Sequence, residues 1–151
     1  MSATPLRRHA PPDATAPEPD VKHLMTPNVV AITADADLLI AARLMAARTV
    51  RHLPVMDGGR CCGLLLEIDV IQALASTDNP LVRPPLLAGE LCRVTPVVRP
   101  GDRRSVAAQH MRDSCTDAVV VCENDSVVGM LTATDLIRSL AEEAPAEPTG
   151  G

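Results

Sequence analysis

No phenylalanine, tryptophan or tyrosine occurs anywhere in the 151 residues. The core must therefore be built from Leu, Val, Ile, Met and Ala, and an aromatic ligand would have to lie between aliphatic side chains. Single-stranded nucleic acids depend largely on base stacking against aromatic platforms, so this chain serves them poorly. Its formal charge of −5 points the same way, because phosphate backbones attract basic surfaces. No nucleic-acid partner is expected. Lysine is nearly absent too: Lys22 is the single one, and no glycine-rich Walker-type loop ends on it. No nucleophile has a base and an orienter at a recognisable spacing. The chain does not read as an enzyme.

Long apolar runs are also missing. None reaches the roughly 18 consecutive residues that a membrane span needs, and Met1 to Asp20 contains no apolar signal core. A cytoplasmic protein without a membrane partner is the expectation. The five cysteines, Cys61, Cys62, Cys92, Cys115 and Cys122, form no C-x-x-C pair and no zinc-type spacing. Reduced thiols acting as small hydrophobes fit best, with adjacent Cys61 and Cys62 as a redox device the alternative. His23 and His110 have no partner at ligand spacing, so neither a metal nor a resident cofactor is expected.

What the chain does contain is an internal repeat between two tails. Residues 1–19 hold Pro5, Pro11, Pro12, Pro17 and Pro19 among small residues, a composition that buries too little surface to offset chain entropy. The ending "EEAPAEPTGG", residues 142–151, is similar, and both are read as disordered. Between them, an offset of 66 lays Val21–Ala75 on Leu87–Ala141 without a gap, and ten of the fifty-five pairs are identical. Most of the matches are apolar, as a shared core requires. The exceptions are Gly63 with Gly129 and Asp69 with Asp135.

Each unit reads as strand, helix, strand, strand, helix. A lead-in and an extended run ("NVVAIT" or "VTPVVR") precede a helical stretch with Leu38, Ala41, Ala42 and Met45 on one face. A hairpin follows, turning at Gly58-Gly59 in one unit and Asn124-Asp125 in the other. A last helix starts near Ile68 or Ala133. The strands are apolar at consecutive positions, so both sheet faces should be covered. A unit of this length cannot do that alone, whereas two can share a core. The expectation is an α/β (α+β) domain of two pseudo-two-fold halves, residues 20–76 and 86–141, joined by a linker at 77–85.

"GMLTATD" at 129–135 is first a capping-box pattern, a Thr followed three residues later by an acid ahead of an apolar run. Its recurrence in register, together with the lead-in "HLMTPNVV" and the hairpin "RHLPVMDGGR", resembles the cystathionine-β-synthase (CBS) domain pair, or Bateman module, from Asp20 to about Ala141. That resemblance implies an adenosine-containing ligand, of the AMP, ADP or ATP class, in a cleft between the repeats. Asp135 can accept hydrogen bonds from both ribose hydroxyls. Thr132 adds a hydroxyl at a helix N-terminus that favours anions, and Gly129 permits close approach. The first repeat keeps Gly63 and Asp69 but has Leu66 in place of Thr132, which weakens or empties that site. Arg51 and His52 stand where basic residues can meet phosphates, although a charged surface and a structural histidine are the plainer readings. Pro54 restricts its strand to an edge or irregular position, which agrees with a wall of the implied ligand cleft. Arg99, Arg103 and Arg104 read as solvated surface, or alternatively as a phosphate or protein contact.

The resemblance further implies a homodimer. With no effector domain in the sequence, an unknown partner protein must receive the signal. The competing reading is a structural or dimerisation module whose clefts bind nothing.

Overall fold

The computed structural model describes residues 17–76 and 86–143. The expected linker and most of both expected tails lie outside the described residues. In chain order come a short 3-10 turn (Val21–His23), β1 (Thr26–Pro27), β2 (Ile32–Thr33), α1 (Leu38–Arg48), β3 (His52–Asp57), β4 (Arg60–Leu66) and α2 (Glu67–Ala75). The second repeat supplies α3 (Ala88–Leu91), β5 (Val97–Val98), α4 (Arg104–Asp113), β6 (Ala118–Glu123), β7 (Ser126–Thr132) and α5 (Ala133–Glu143). The α/β architecture read from the sequence is present, with strands ordered β2-β3-β4 in one sheet and β1-β7-β6-β5 in the other.

Local chemistry sets these elements. Both hairpins turn on two residues of positive φ, Gly58 and Gly59 at 56° and 82°, and Asn124 and Asp125 at 51° and 64°. That is the geometry whose twist matches flanking antiparallel strands. Helix α1 starts on Asp37, whose side chain accepts from Ile40 N at 2.8 Å. Helices α1 and α4 end beside left-handed residues at equivalent positions, Thr49 and Cys115, and the chain leaves each helix there to enter a strand.

The consecutive apolar residues divide between two faces. Leu53, Val55 and Leu65 pack with α1 residues Leu38, Ala41 and Met45. Val119, Val121 and Leu131 pack with Ala107, Met111 and Leu136 of α4 and α5. The intervening residues, Leu64, Ala118, Val120 and Met130, form a third cluster where the sheets meet. Period-two alternation therefore survives inside an unbroken apolar run, because each strand is covered by helices on one side and by the other half on its reverse.

The lead-ins cross over. β1, from the first repeat, pairs antiparallel with β7 of the second (Thr26 with Met130, Pro27 with Gly129). Reciprocally, Arg93 bridges Leu64 of β4, with Leu64 N donating to Arg93 O at 2.8 Å and Arg93 N to Leu64 O at 2.9 Å. Val21 is fully buried in the second half's core and Ala88 in the first's. Glu18 accepts hydrogen bonds from the backbone N and the hydroxyl of Ser105, capping α4 from 87 positions away.

This exchange corrects the ungapped repeat. Val21 N donates to Asp102 O and Lys22 N to Pro100 O, while Ala88 N donates to Ala36 O and Gly89 N to Ala34 O. The lead-ins thus correspond at an offset of 67, and the strands, from Ile32 against Val98 onward, at 66. One residue fewer joins lead-in to strand in the second repeat, and Leu24 aligns with Leu91.

Candidate ligand clefts between the halves

The crossing strands explain the two repeated glycines. A Cβ on Gly63 would sit 2.4 Å from Arg93 O and 3.1 Å from Cys92 Sγ, and one on Gly129 would sit 2.5 Å from Met25 Sδ and 3.0 Å from Thr26 O. Each glycine faces the other repeat's lead-in, so that strand takes the close approach foreseen for a ligand.

Thr132 and Asp135 come together at the start of α5. Asp135 Oδ2 accepts from Thr132 N at 2.9 Å and from its hydroxyl at 3.1 Å, and Asp135 N lies 3.4 Å from Thr132 Oγ1. This is a reciprocal capping box. Oδ1 meets the exposed Arg138 at 3.4 Å.

The equivalent acid in the first half is held differently. Leu66 at the head of α2 offers no side-chain cap. Arg93 reaches Asp69 from the crossing lead-in, with Nε to Oδ2 and Nη2 to Oδ1 both at 2.7 Å. This bidentate pairing, and then the carboxylate charge, push the Arg93 pKa up. At offset 67 the counterpart of Arg93 is Thr26, which carries no charge.

Beside the Arg93 pair lies a cavity of about 270 Å³ lined by Leu66, Arg93–Thr95 and Ser114–Asp117. Both halves contribute to it. The positions equivalent to its lining in the other repeat are Thr132, Thr26–Asn28 and Arg48–Arg51. Arg51 O accepts from Glu67 N at the head of α2 at 2.9 Å, and Asp117 O likewise from Ala133 N at the head of α5 at 2.8 Å. A larger hollow of about 470 Å³ lined by Thr33–Asp35, Met56–Gly58 and Leu87 contains no residue of the repeated motif.

His52 lies between the halves, its Nε2 3.4 Å from Asp117 Oδ1. Pro54 is buried opposite Leu64. Because Leu64 spends its N–H and C=O on Arg93, Pro54 occupies a non-hydrogen-bonded position in the β3–β4 ladder, and the missing N–H costs that ladder nothing. On its other side β2 pairs only from Val55 onward, and the register shifts between Val55 and Met56. At the equivalent place Val120 N donates to Pro96 O at 3.2 Å.

Arg104 departs from the surface reading. Its side chain is 14% exposed, donating to Ser139 Oγ at 2.9 Å and pairing with Glu143 at 2.9 Å, so that it ties α4 to α5. Burial pushes the Cys61, Cys92 and Cys122 thiols up, with neighbouring thiols adding to the effect. Among the described residues all five cysteines are unpaired, no cluster could hold a metal ion, and no helix is long and apolar enough to cross a membrane.

Comparison with known proteins settles the family. The model of the CBS domain matches residues 21–76 and again 88–142. The chain belongs to the CBS domain family. The uncharacterised protein MJ1225 of Methanocaldococcus jannaschii is 29% identical over 125 residues, covering 82% of this chain and 43% of that protein. This chain spans less than half the length of the curated relatives it matches. Among solved structures, the CBS domain pair of protein MJ0100 in complex with 5′-methylthioadenosine and S-adenosyl-L-methionine is similar at a TM-score of 0.72 and 20% identity, covering 83% of this chain and 98% of that one. CBSX2 in complex with AMP is similar at a TM-score of 0.68 and 21% identity, covering 82% and 96%. The tandem CBS fold is common to all three chains whose structures are compared.

Proposed function

We propose that this CBS pair is a regulatory module that binds an adenosine-containing ligand of the AMP, ADP or ATP class in the cleft of Thr132 and Asp135, and passes its occupancy to a partner protein. The observation that carries this reading is the state of Asp135. Its side chain is 12% exposed at the head of α5, and Oδ1 is held only by a single 3.4 Å contact from Arg138, which is itself 64% exposed. Such a carboxylate can exchange that contact for the paired hydroxyls of a ribose. Arg51, on the equivalent of the loop that lines the first cleft, suits a phosphate, and the α5 N-terminus adds a favourable field. Solved pairs of the same fold hold AMP or S-adenosyl-L-methionine.

A second copy of the chain is the proposed dimer partner. Ile71 and Leu74 of α2 are 53% and 40% exposed, and their equivalents Ile137 and Leu140 of α5 are 66% and 55% exposed. An apolar stripe repeated by pseudo-symmetry suits an isologous interface.

A scaffold that binds nothing is the other reading, favoured by the engagement of both motif acids with protein partners. Calorimetric titration of AMP, ADP and ATP into wild type and Asp135→Ala distinguishes the two. Saturable heat that the variant abolishes, with an unchanged circular dichroism spectrum, supports the ligand reading. No heat from wild type with any of the three leaves the scaffold.

A further inference from the structure

The two repeats differ in charge at positions equivalent around the cleft. In the first cleft, Arg93 comes from the lead-in and Asp117 from the loop. In the second, the counterparts are Thr26 and Arg51. The loop positions Ser114 and Arg48 differ in the same sense. Asp69, at 12% side-chain exposure, receives two 2.7 Å charge-assisted bonds from Arg93, beside a cavity of about 270 Å³. We propose that Arg93 occupies the ligand's place in the first cleft, so that the chain takes one adenosine-containing ligand, in the second cleft, rather than one in each.

The reasoning rests on the ligand reading above and extends it from the fold to stoichiometry. A ribose approaching Asp69 offers two neutral hydroxyls and must displace a bidentate guanidinium, and a charged donor outcompetes a neutral one for the same carboxylate oxygens. Leu66 gives the sugar no hydroxyl in return, whereas Thr132 does. A phosphate that followed the sugar would meet Asp117, a like charge, where the second cleft offers Arg51. Arg93 is anchored for this role by its backbone, since both of its main-chain bonds to Leu64 are independent of its side chain. Removing the guanidinium therefore uncovers Asp69 without unpicking the crossing strand.

Calorimetric titration with AMP tests this. Wild type is expected to bind one AMP per chain, with Asp135→Ala abolishing that site and Asp69→Ala leaving it unchanged. Arg93→Ala is expected to raise the first cleft's affinity at least tenfold, so that a second AMP per chain is titrated. The double variant Arg93→Ala/Asp69→Ala should return to one. Retention of the Asp135-dependent site in each variant reports that the chain is folded. Two sites in wild type, or no second site in a folded Arg93→Ala, would overturn the proposal and leave the ligand reading standing. So would a single site that Asp69→Ala or Arg93→Ala weakens, because Arg93 would then be a ligand contact. Absence of any AMP, ADP or ATP heat from wild type would overturn both.

Discussion

The crossing of the lead-ins makes a sharp prediction at Gly63. Alanine there places its Cβ 2.4 Å from Arg93 O and 3.0 Å from Arg93 C, and both are backbone atoms that cannot swing aside. Relief requires the 92–94 segment to lift, which strains or breaks the two main-chain bonds between Leu64 and Arg93. Overpacking costs about 1–3 kcal/mol, and two lost hydrogen bonds add about 0.5–1.5 kcal/mol each. Gly63→Ala should therefore cost about 3 kcal/mol. Gly129→Ala provides the internal contrast. Its nearest neighbour, at 2.5 Å, is the end of the flexible Met25 side chain, and the nearest backbone atom, Thr26 O, lies at 3.0 Å, so about 1 kcal/mol is expected. With no aromatic residue for fluorescence, urea unfolding followed by far-ultraviolet circular dichroism is the assay. At a slope of about 2 kcal/mol per molar urea, Gly63→Ala should lower the midpoint by about 1.5 M. A midpoint shift for Gly63→Ala no larger than that for Gly129→Ala would refute the reasoning.

Arg104→Ala should destabilise by about 1–3 kcal/mol, since it leaves the buried Ser139 hydroxyl without its donor. The pair Arg104→Leu/Ser139→Ala, which copies the Leu38 and Ala73 of the first repeat, should come within about 1 kcal/mol of wild type in the same unfolding assay. The raised thiols give a pH dependence: a group whose folded pKa lies above its unfolded value stabilises fully below the unfolded pKa and loses that contribution as pH rises through the folded one. Thermal stability should therefore fall as pH climbs past the ordinary thiol range, and replacing Cys61, Cys92 and Cys122 with alanine should flatten that fall. Ile137→Glu should shift sedimentation from dimer toward monomer, because a carboxylate cannot be buried unpaired in an apolar stripe. Retention of the wild-type sedimentation coefficient would exclude that face from the interface.

The sequence displayed the parts governed by local rules. Gly58-Gly59 and Asn124-Asp125 mark turns that demand positive φ, Asp37 marks a cap, and unbroken apolar strands mark sheets covered on both faces. Partner choice for the short lead-in strands was not legible. A two-residue strand carries no pattern that selects one sheet edge over another, and tertiary pairing decides it. The same exchange hid the partner of Asp69, because Arg93 lies 24 positions away and belongs to the other repeat. Arg104 departs from the solvated-surface expectation for a different reason: three arginines close together suggest solvent. The corrective signal lay in the repeat itself. Arg104 aligns with apolar Leu38, and Ser139 with Ala73, so two polar departures occur at core positions of the same helix pair, which is how a buried polar contact is encoded. Leu66 against Thr132 was legible because it changes a residue inside a fixed motif, whereas Thr26 against Arg93 required the offset of 67 to be known.

Exchange of the lead-ins also bears on how binding can be transmitted. The segment around Thr26–Asn28 lies in the first repeat by sequence but is built into the second half's sheet, while the Arg48–Arg51 loop leads into β3 of the first half. A ligand bound as proposed would touch both halves at once. It can shift their packing only if its contacts differ between two arrangements. The cluster between the sheets, Leu64, Ala118, Val120 and Met130, consists of aliphatic side chains with no aromatic ring to interlock, and dispersion contacts of that kind are individually weak and non-directional. Directional ties across the halves include His52 to Asp117 at 3.4 Å and the two main-chain ladders of the lead-ins. The ladders hold each lead-in to one half. With Arg93 paired bidentately to Asp69, differential contact is left, in the proposed reading, to the second cleft, where Asp135 meets only the longer 3.4 Å contact of Arg138 among the described charged partners. Under the proposed reading two similar repeats are given a direction, the first cleft held by a charge pair and the second left to the ligand.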